Sequence, residues 1–118
     1  MDANLYQEQI LDRYHHPRHQ GIIEDAAKHE GANRTCGDEI TIYLRTDAGV
    51  ITDLRFESRA CAICTASADL LADRLISQPE TEIAQITPKE VQKMLGIPLS
   101  PIRLKCALLP LETLKTQR

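Results

Sequence analysis

The chain has 118 residues, 42% of them hydrophobic and 26% charged, a balance that suits one modest core and excludes a disordered segment. A net charge of −3, an aromatic content of 3% and the absence of Trp exclude a basic field for phosphate backbones and a platform for stacked bases. No stretch approaches the roughly 20 apolar residues of a membrane span and the N-terminus lacks a signal-peptide pattern, so the expected setting is cytoplasmic, where thiols stay reduced.

Tyr6, Ile10 and Tyr14 recur every four residues with Leu11 beside them, which predicts an amphipathic helix over about residues 4–15. His16-Pro17 ends it, because the residue before proline is pushed out of the helical region. Residues 17–38, rich in Gly, His, Asn and charge, read as loop with at most one short edge strand. Ile40, Ile42 and Leu44 alternate with Thr41, Tyr43 and Arg45, the period-two pattern of a strand with one buried face. Asp47-Ala48-Gly49 supplies a turn, and Val50 to Phe56 returns as the second strand of an antiparallel hairpin.

Cys64, Ala68, Leu71 and Leu75 share one helical stripe, predicting a helix over roughly 62–77 that packs on the sheet. Thr87-Pro88-Lys89-Glu90 is a capping-box helix start, and Gly96 suits its left-handed stop. Pro98 and Pro101 predict an extended segment leading to Cys106, with a short final helix from about Pro110. Strands precede most of the helices, so the expected class is α+β in a single domain spanning 1–118.

Four cysteines allow two disulfides, but in a reducing compartment metal binding or thiol chemistry is the preferred reading. In Cys36-Gly37-Asp38 the glycine permits a tight turn that turns a thiolate and a carboxylate toward one ion. Cys61 falls between a strand and a helix, at a helix N-terminus where a thiolate is favoured, with Arg59 nearby. Cys64 completes Cys61-Ala62-Ile63-Cys64. A redox pair, half of a zinc ribbon and a small core residue are all compatible with it, and its place on the apolar stripe favours the core. Cys106 follows Lys105, whose charge would lower the thiol pKa if the two side chains approached.

Separations of 25 residues between Cys36 and Cys61, and 45 between Cys61 and Cys106, are too wide for a zinc finger, so three loops would have to gather. Three sulfurs and one oxygen in an exposed site would suit zinc, iron or one face of an iron–sulfur cluster. His15, His16, His19 and His29 are irregularly spaced and read as part of a solvated loop. No Ser-His-Asp set, Walker loop, dinucleotide fingerprint or H-E-x-x-H motif is present, so hydrolase, kinase and dehydrogenase readings find no support.

Across nearly the whole chain the sequence resembles the IscU/SufU/NifU-type iron–sulfur cluster assembly scaffolds. The resemblance is carried by Leu5-Tyr6 through His16-Pro17-Arg18-His19-Gln20-Gly21, by Asn33-Arg34-Thr35-Cys36-Gly37-Asp38, by Cys61-Ala62-Ile63-Cys64-Thr65-Ala66-Ser67 and by Leu99 to Cys106. It implies a small antiparallel sheet of about three strands with helices on one face. It implies a non-enzymatic scaffold that accepts sulfur from a cysteine desulfurase, binds iron, builds a 2Fe–2S cluster and passes it to recipient apoproteins. Cys36, Asp38, Cys61 and Cys106 match the cluster- or metal-binding positions, and Cys106 and Cys61 are the candidate sulfur acceptors. Lys105 stands where IscU proteins carry His, as in SufU-like proteins, which leans toward a zinc-bound sulfur-transfer partner of a desulfurase. The insertion usual in SufU-like proteins between the second and third cysteines is missing. Leu99-Ser100-Pro101-Ile102-Arg103 also departs from the LPPVK-like segment that a dedicated chaperone binds, so that partnership is not expected. Ser is usual where Cys64 stands and Pro where Arg34 stands.

Overall fold

The computed structural model describes residues 3–116, with side chains described from residue 5 onward. The elements run α1 (Ala3–His15), β1 (Ala27–Asn33), β2 (Asp38–Asp47), β3 (Val50–Arg59), α2 (Ala62–Leu75), a 3-10 turn (Glu80–Gln85), α3 (Pro88–Leu95) and α4 (Pro101–Thr116). The sheet is antiparallel throughout, in the order β1-β2-β3. Among the described residues no helix is long and apolar enough to cross a membrane.

The expected hairpin is β2–β3. Asp47 pairs with Val50, leaving Ala48 and Gly49 as a two-residue loop, and both have positive φ (50° and 81°). Such a loop matches the right-handed twist of its strands. Alternation then sorts the side chains: Ile40, Ile42, Leu44, Leu54 and Phe56 are buried, while Glu39, Arg45, Glu57 and Arg59 face solvent. The apolar face is covered by α2, which packs on β3, and by α4, which packs on β1 and β2. These two helices also touch each other, and the Ser67 hydroxyl donates to the Ala107 carbonyl at 2.7 Å.

Three expectations need correction. Residues 17–38 are not mainly loop, because β1 pairs over seven positions, from Ala27↔Leu44 to Asn33↔Asp38. His29 lies on β1 at 5% exposure and is not part of a solvated loop, since alternation turns His29, Gly31 and Asn33 toward the helices. The segment before Cys106 is not extended. Helix α4 starts at Pro101, runs through Cys106 and carries Pro110 in its interior. Proline at the first helical position costs nothing, because that N–H has no intrahelical partner.

Helix α3 starts as expected, with the Thr87 Oγ1 accepting from the Glu90 N–H at 3.2 Å and Gly96 closing it at φ 69°. Only half of the capping box forms, because the Glu90 carboxylate is taken by Arg74 Nε at 2.8 Å. Helix α1 is held on α2 by Asp69, which is fully buried. Its Oδ2 accepts from Arg13 Nη1 at 2.7 Å and its Oδ1 from the Arg18 and His19 backbone N–H groups at 2.9 Å each. His19 Nε2 meets Asp73 Oδ1 at 2.7 Å, so His19 is also drawn into this anchor. His15 and His16 are exposed, as expected.

Candidate metal centre

The β1–β2 connection builds the first side of the site. Cys36 N–H and Gly37 N–H both donate to the Asn33 carbonyl, at 3.2 and 2.8 Å, and Gly37 takes φ 72° to complete the turn. Asn33 also fixes the sulfur: its Oδ1 accepts from the Thr35 N–H at 3.2 Å, which turns its Nδ2 toward Cys36 Sγ at 3.5 Å. This role went unread in the sequence, although Asn at the head of a polar turn is the signal for a side chain that bonds the backbone two residues on.

Asp38 opens β2, buried to 4% exposure. Because Glu39 pairs with Arg59, the end of β3 delivers Cys61 to the same end of the sheet. Cys61 is the N-cap of α2, and its N–H donates to Asp38 Oδ1 at 3.1 Å while its Sγ lies 3.9 Å from Asp38 Oδ2. The carboxylate therefore does at this helix start what a capping side chain does elsewhere. The third side comes from α4, where Cys106 Sγ approaches Cys36 Sγ to 3.3 Å across 70 residues of chain.

All four cysteines are free. Cys36, Asp38 and Cys106 can each offer one ligand atom with all three within 4.8 Å of one another, and Cys61 stands just outside this compact group. Tetrahedral zinc with bonds of 2.3 Å to sulfur and 2.0 Å to oxygen separates its sulfurs by about 3.8 Å and a sulfur from an oxygen by about 3.5 Å. To take a cation the Cys36–Cys106 sulfurs, 3.3 Å apart, would open by about half an ångström and the Cys61 sulfur would close on Asp38 from 3.9 Å by a similar amount. The donor chemistry, soft sulfur with one hard oxygen, fits zinc or iron.

The site is less open than expected: Cys106 is 4% exposed, and Cys36 and Cys61 are half-buried. Burial raises the Cys106 thiol pKa, and hydrogen bonding with Asp38 and Cys36 and the nearby Cys61 raise it further. Lys105 does not lower it. Consecutive helix residues point about 100° apart, and Lys105 is exposed while Cys106 faces inward. Crowded acceptors that hold on to protons are what a cation relieves, so metal uptake here should release protons. Cys64 is fully buried, and burial first, then Asp38, Cys61 and Cys36, push its thiol pKa well up. An open depression of about 860 Å³ on the sheet surface, lined in part by Glu30, Glu39, Glu57 and Arg59, contains no cysteine.

A three-stranded antiparallel sheet with helices on one face, gathering cysteines and an aspartate at one end from the β1–β2 turn, the start of β2, the β3–α2 junction and α4, defines a small α+β domain with a candidate metal- or sulfur-handling site. The chain belongs to the NifU-like N-terminal domain family, whose model matches residues 5–117. It is 36% identical to the iron–sulfur cluster assembly scaffold protein IscU of Thermotoga maritima, over 94% of this chain and 90% of that one. It is 27% identical to the zinc-dependent sulfurtransferase SufU of Bacillus subtilis, over 94% of this chain and 87% of the relative. Among solved structures it is similar to a candidate SUF-system scaffold protein from Fervidobacterium islandicum. The TM-score is 0.77 at 32% identity, covering 97% of this chain and 96% of the other.

Proposed function

We propose that this chain, acting as one domain over residues 1–118, is an iron–sulfur cluster assembly scaffold. In this reading Cys36, Asp38, Cys61 and Cys106 receive iron and sulfur, hold a nascent 2Fe–2S cluster as cargo and release it to recipient apoproteins. A cysteine desulfurase is the sulfur donor, with Cys61 and Cys106 as the accepting thiols, and the setting is the cytoplasm. The observation that carries the reading is the approach of Cys106 Sγ to Cys36 Sγ at 3.3 Å beside buried Asp38. Capping the Cys61 N–H accounts for Asp38 but not for two sulfurs packed beside it, and a buried carboxylate next to two thiols is relieved when a cation joins them.

In such a site the protein supplies position and the cargo supplies the chemistry. The turn at Gly37 and the amide of Asn33 aim Cys36, the N-cap position of α2 presents Cys61, and α4 presents Cys106. One oxygen among three sulfurs holds a soft cargo less tightly than four sulfurs would, which suits a protein that must give the cluster up. Anaerobic reconstitution with iron and sulfide tests the proposal. Charge-transfer absorption should appear in the wild type and be lost in Cys36→Ala, and a colourless wild type would contradict it.

A second reading, a zinc-bound sulfur-transfer partner that stimulates a desulfurase, is favoured by one observation. Cys36, Asp38 and Cys106 form the compact group while Cys61 lies at its edge, 3.9 Å from Asp38 Oδ2, so in this reading three ligands keep a zinc and one thiol serves sulfur transfer. The relative named a zinc-dependent sulfurtransferase supports the same reading. It predicts zinc in the purified protein, persulfide on a cysteine and acceleration of a cognate desulfurase without cluster accumulation. Absence of that acceleration would remove it.

A further inference from the structure

Metal binding uses three of the four cysteines and leaves Cys64 without a task. Its surroundings suggest one. Cys61 is the N-cap of α2, with φ −69° and ψ 169°, and its sulfur makes no capping hydrogen bond. Cys64 is the third residue of that helix, so the two occupy the N-cap and N3 positions, one turn apart on the same side. Residues three apart on a helix have Cβ atoms about 5–6 Å apart. A disulfide needs about 3.5–4.5 Å between Cβ atoms. The remaining ångström or so falls to Cys61, whose backbone is extended rather than helical, while its carbonyl accepts from the Thr65 N–H at 3.1 Å and its N–H is held by Asp38. The pair also sits where a strand feeds a helix, as β3 ends at Arg59 and α2 begins at Ala62. Cys61 is half-buried and open to a donor, whereas Cys64 is fully buried beneath it. Cys61 is also the thiol outside the compact group of Cys36, Asp38 and Cys106, so engaging it leaves three metal ligands in place.

We propose that Cys61 and Cys64 form a dithiol that reduces a sulfane sulfur received on Cys61 and releases it as sulfide. The proposal rests on the reading of Cys61 as a sulfur acceptor and adds the source of the electrons. The donor leaves a persulfide, Cys61–Sγ–SH. The Cys64 sulfur attacks Cys61 Sγ, the Cys61–Cys64 bond forms, and the bond to the outer sulfur breaks. The outer sulfur departs with the electron pair and takes up the Cys64 proton, leaving as hydrogen sulfide. Two thiol sulfurs are oxidised to a disulfide and one sulfane sulfur is reduced by two electrons, so this turnover needs no outside reductant. Attack on the outer sulfur would only pass the persulfide to Cys64, and sulfide is released only by attack on the inner one. A dithiol reductant then resets the pair. A cluster needs sulfide whereas a desulfurase delivers sulfane sulfur, and this step joins the two.

The experiment uses the full chain, reduced and freed of metal with a chelator, then given one equivalent of glutathione persulfide, whose leaving group is a thiol and not sulfide, anaerobically without added reductant. Evolved sulfide, intact mass and the cysteine-containing peptides are then measured. The expected result is one sulfide per chain, with a disulfide mapping to Cys61 and Cys64. Cys64→Ala should lose sulfide release and keep the extra sulfur as a persulfide on Cys61. Cys64→Ser gives the same reading if the alanine variant packs poorly, and the wild-type peptide map depends on neither. Sulfide release at the wild-type rate in both variants overturns the proposal, as does a disulfide that maps to Cys36 and Cys106. A wild type that holds a stable persulfide overturns it while leaving the acceptor reading intact. A wild type that takes up no sulfur removes both.

Discussion

Cys61 N–H donates to Asp38 Oδ1 at 3.1 Å, which ties the start of α2 to the start of β2 through the residue that also faces Cys36 and Cys106. Asp38 thus serves helix capping and the candidate metal centre at once, and two substitutions separate the roles. Asp38→Asn keeps an oxygen for the Cys61 N–H but loses the charge. Its metal affinity should fall by roughly tenfold or more, with little change in apo stability. Asp38→Ala should lose that affinity and also about 1 kcal/mol of stability as the cap goes. Zinc titration and urea unfolding of the two variants check this.

The Asp69 anchor predicts a large and specific cost. Asp69→Ala leaves Arg13 Nη1 and two backbone N–H groups without their acceptor at a fully buried position, while Arg13 Nη2 keeps Asp73 at 2.6 Å, and should destabilise by about 2–4 kcal/mol. Asp69→Asn retains an acceptor for the Arg18 and His19 N–H groups and should cost less. Equal losses in urea unfolding would mean that the backbone contacts carry none of the effect.

Close packing of β1 on α4 sets another test. A Cβ at Gly31 would run into Thr113 Oγ1, whose hydroxyl donates to the Leu109 carbonyl at 2.7 Å. Gly31→Ala should cost about 1–3 kcal/mol by overpacking, and Thr113→Ala in the same chain should recover most of that. Additive losses in the double variant would show that the two residues do not compete for space.

The buried thiols set the alkaline limit of the metal-free protein. Cys64 and Cys106 have folded pKa values raised above the ordinary 9.0, so the native state binds their protons more tightly than the unfolded chain does. Their contribution is complete below pH 9.0 and drains away as pH rises above it. The melting temperature of the apo protein should fall from about pH 9 upward, and less steeply in Cys64→Ala. A flat profile across that range would contradict the burial-driven shift.

Much of the fold was legible because it is written in short-range pattern. Ile40, Ile42 and Leu44 alternate, Ala48-Gly49 turns, and Thr87-Pro88 and Gly96 bracket α3. What was hidden depends on partners distant in sequence. Strand β1 reads Ala-Lys-His-Glu-Gly-Ala-Asn, weak in strand-forming residues, and it forms because β2 pairs with it and α4 covers it. Pro98 and Pro101 suggested an extended segment and Pro110 a helix start, yet Pro101 is harmless at the start of α4 and Pro110 is buried inside it. The cysteines were visible, but their convergence came only through the family resemblance. Spacing cannot reveal that residues 36 and 106 meet across a sequence separation of 70. The inward turn of Cys106 away from Lys105 follows from the helix that the prolines concealed.

The most direct test of the central claim, one centre built from Cys36, Asp38, Cys61 and Cys106, is the metal content of the anaerobically purified protein beside that of Cys106→Ala. The wild type should carry iron with sulfide, or zinc, at one centre per chain, and Cys106→Ala should fall to background while remaining folded. A folded wild type free of metal, or a Cys106→Ala variant that keeps its full content, would contradict the account.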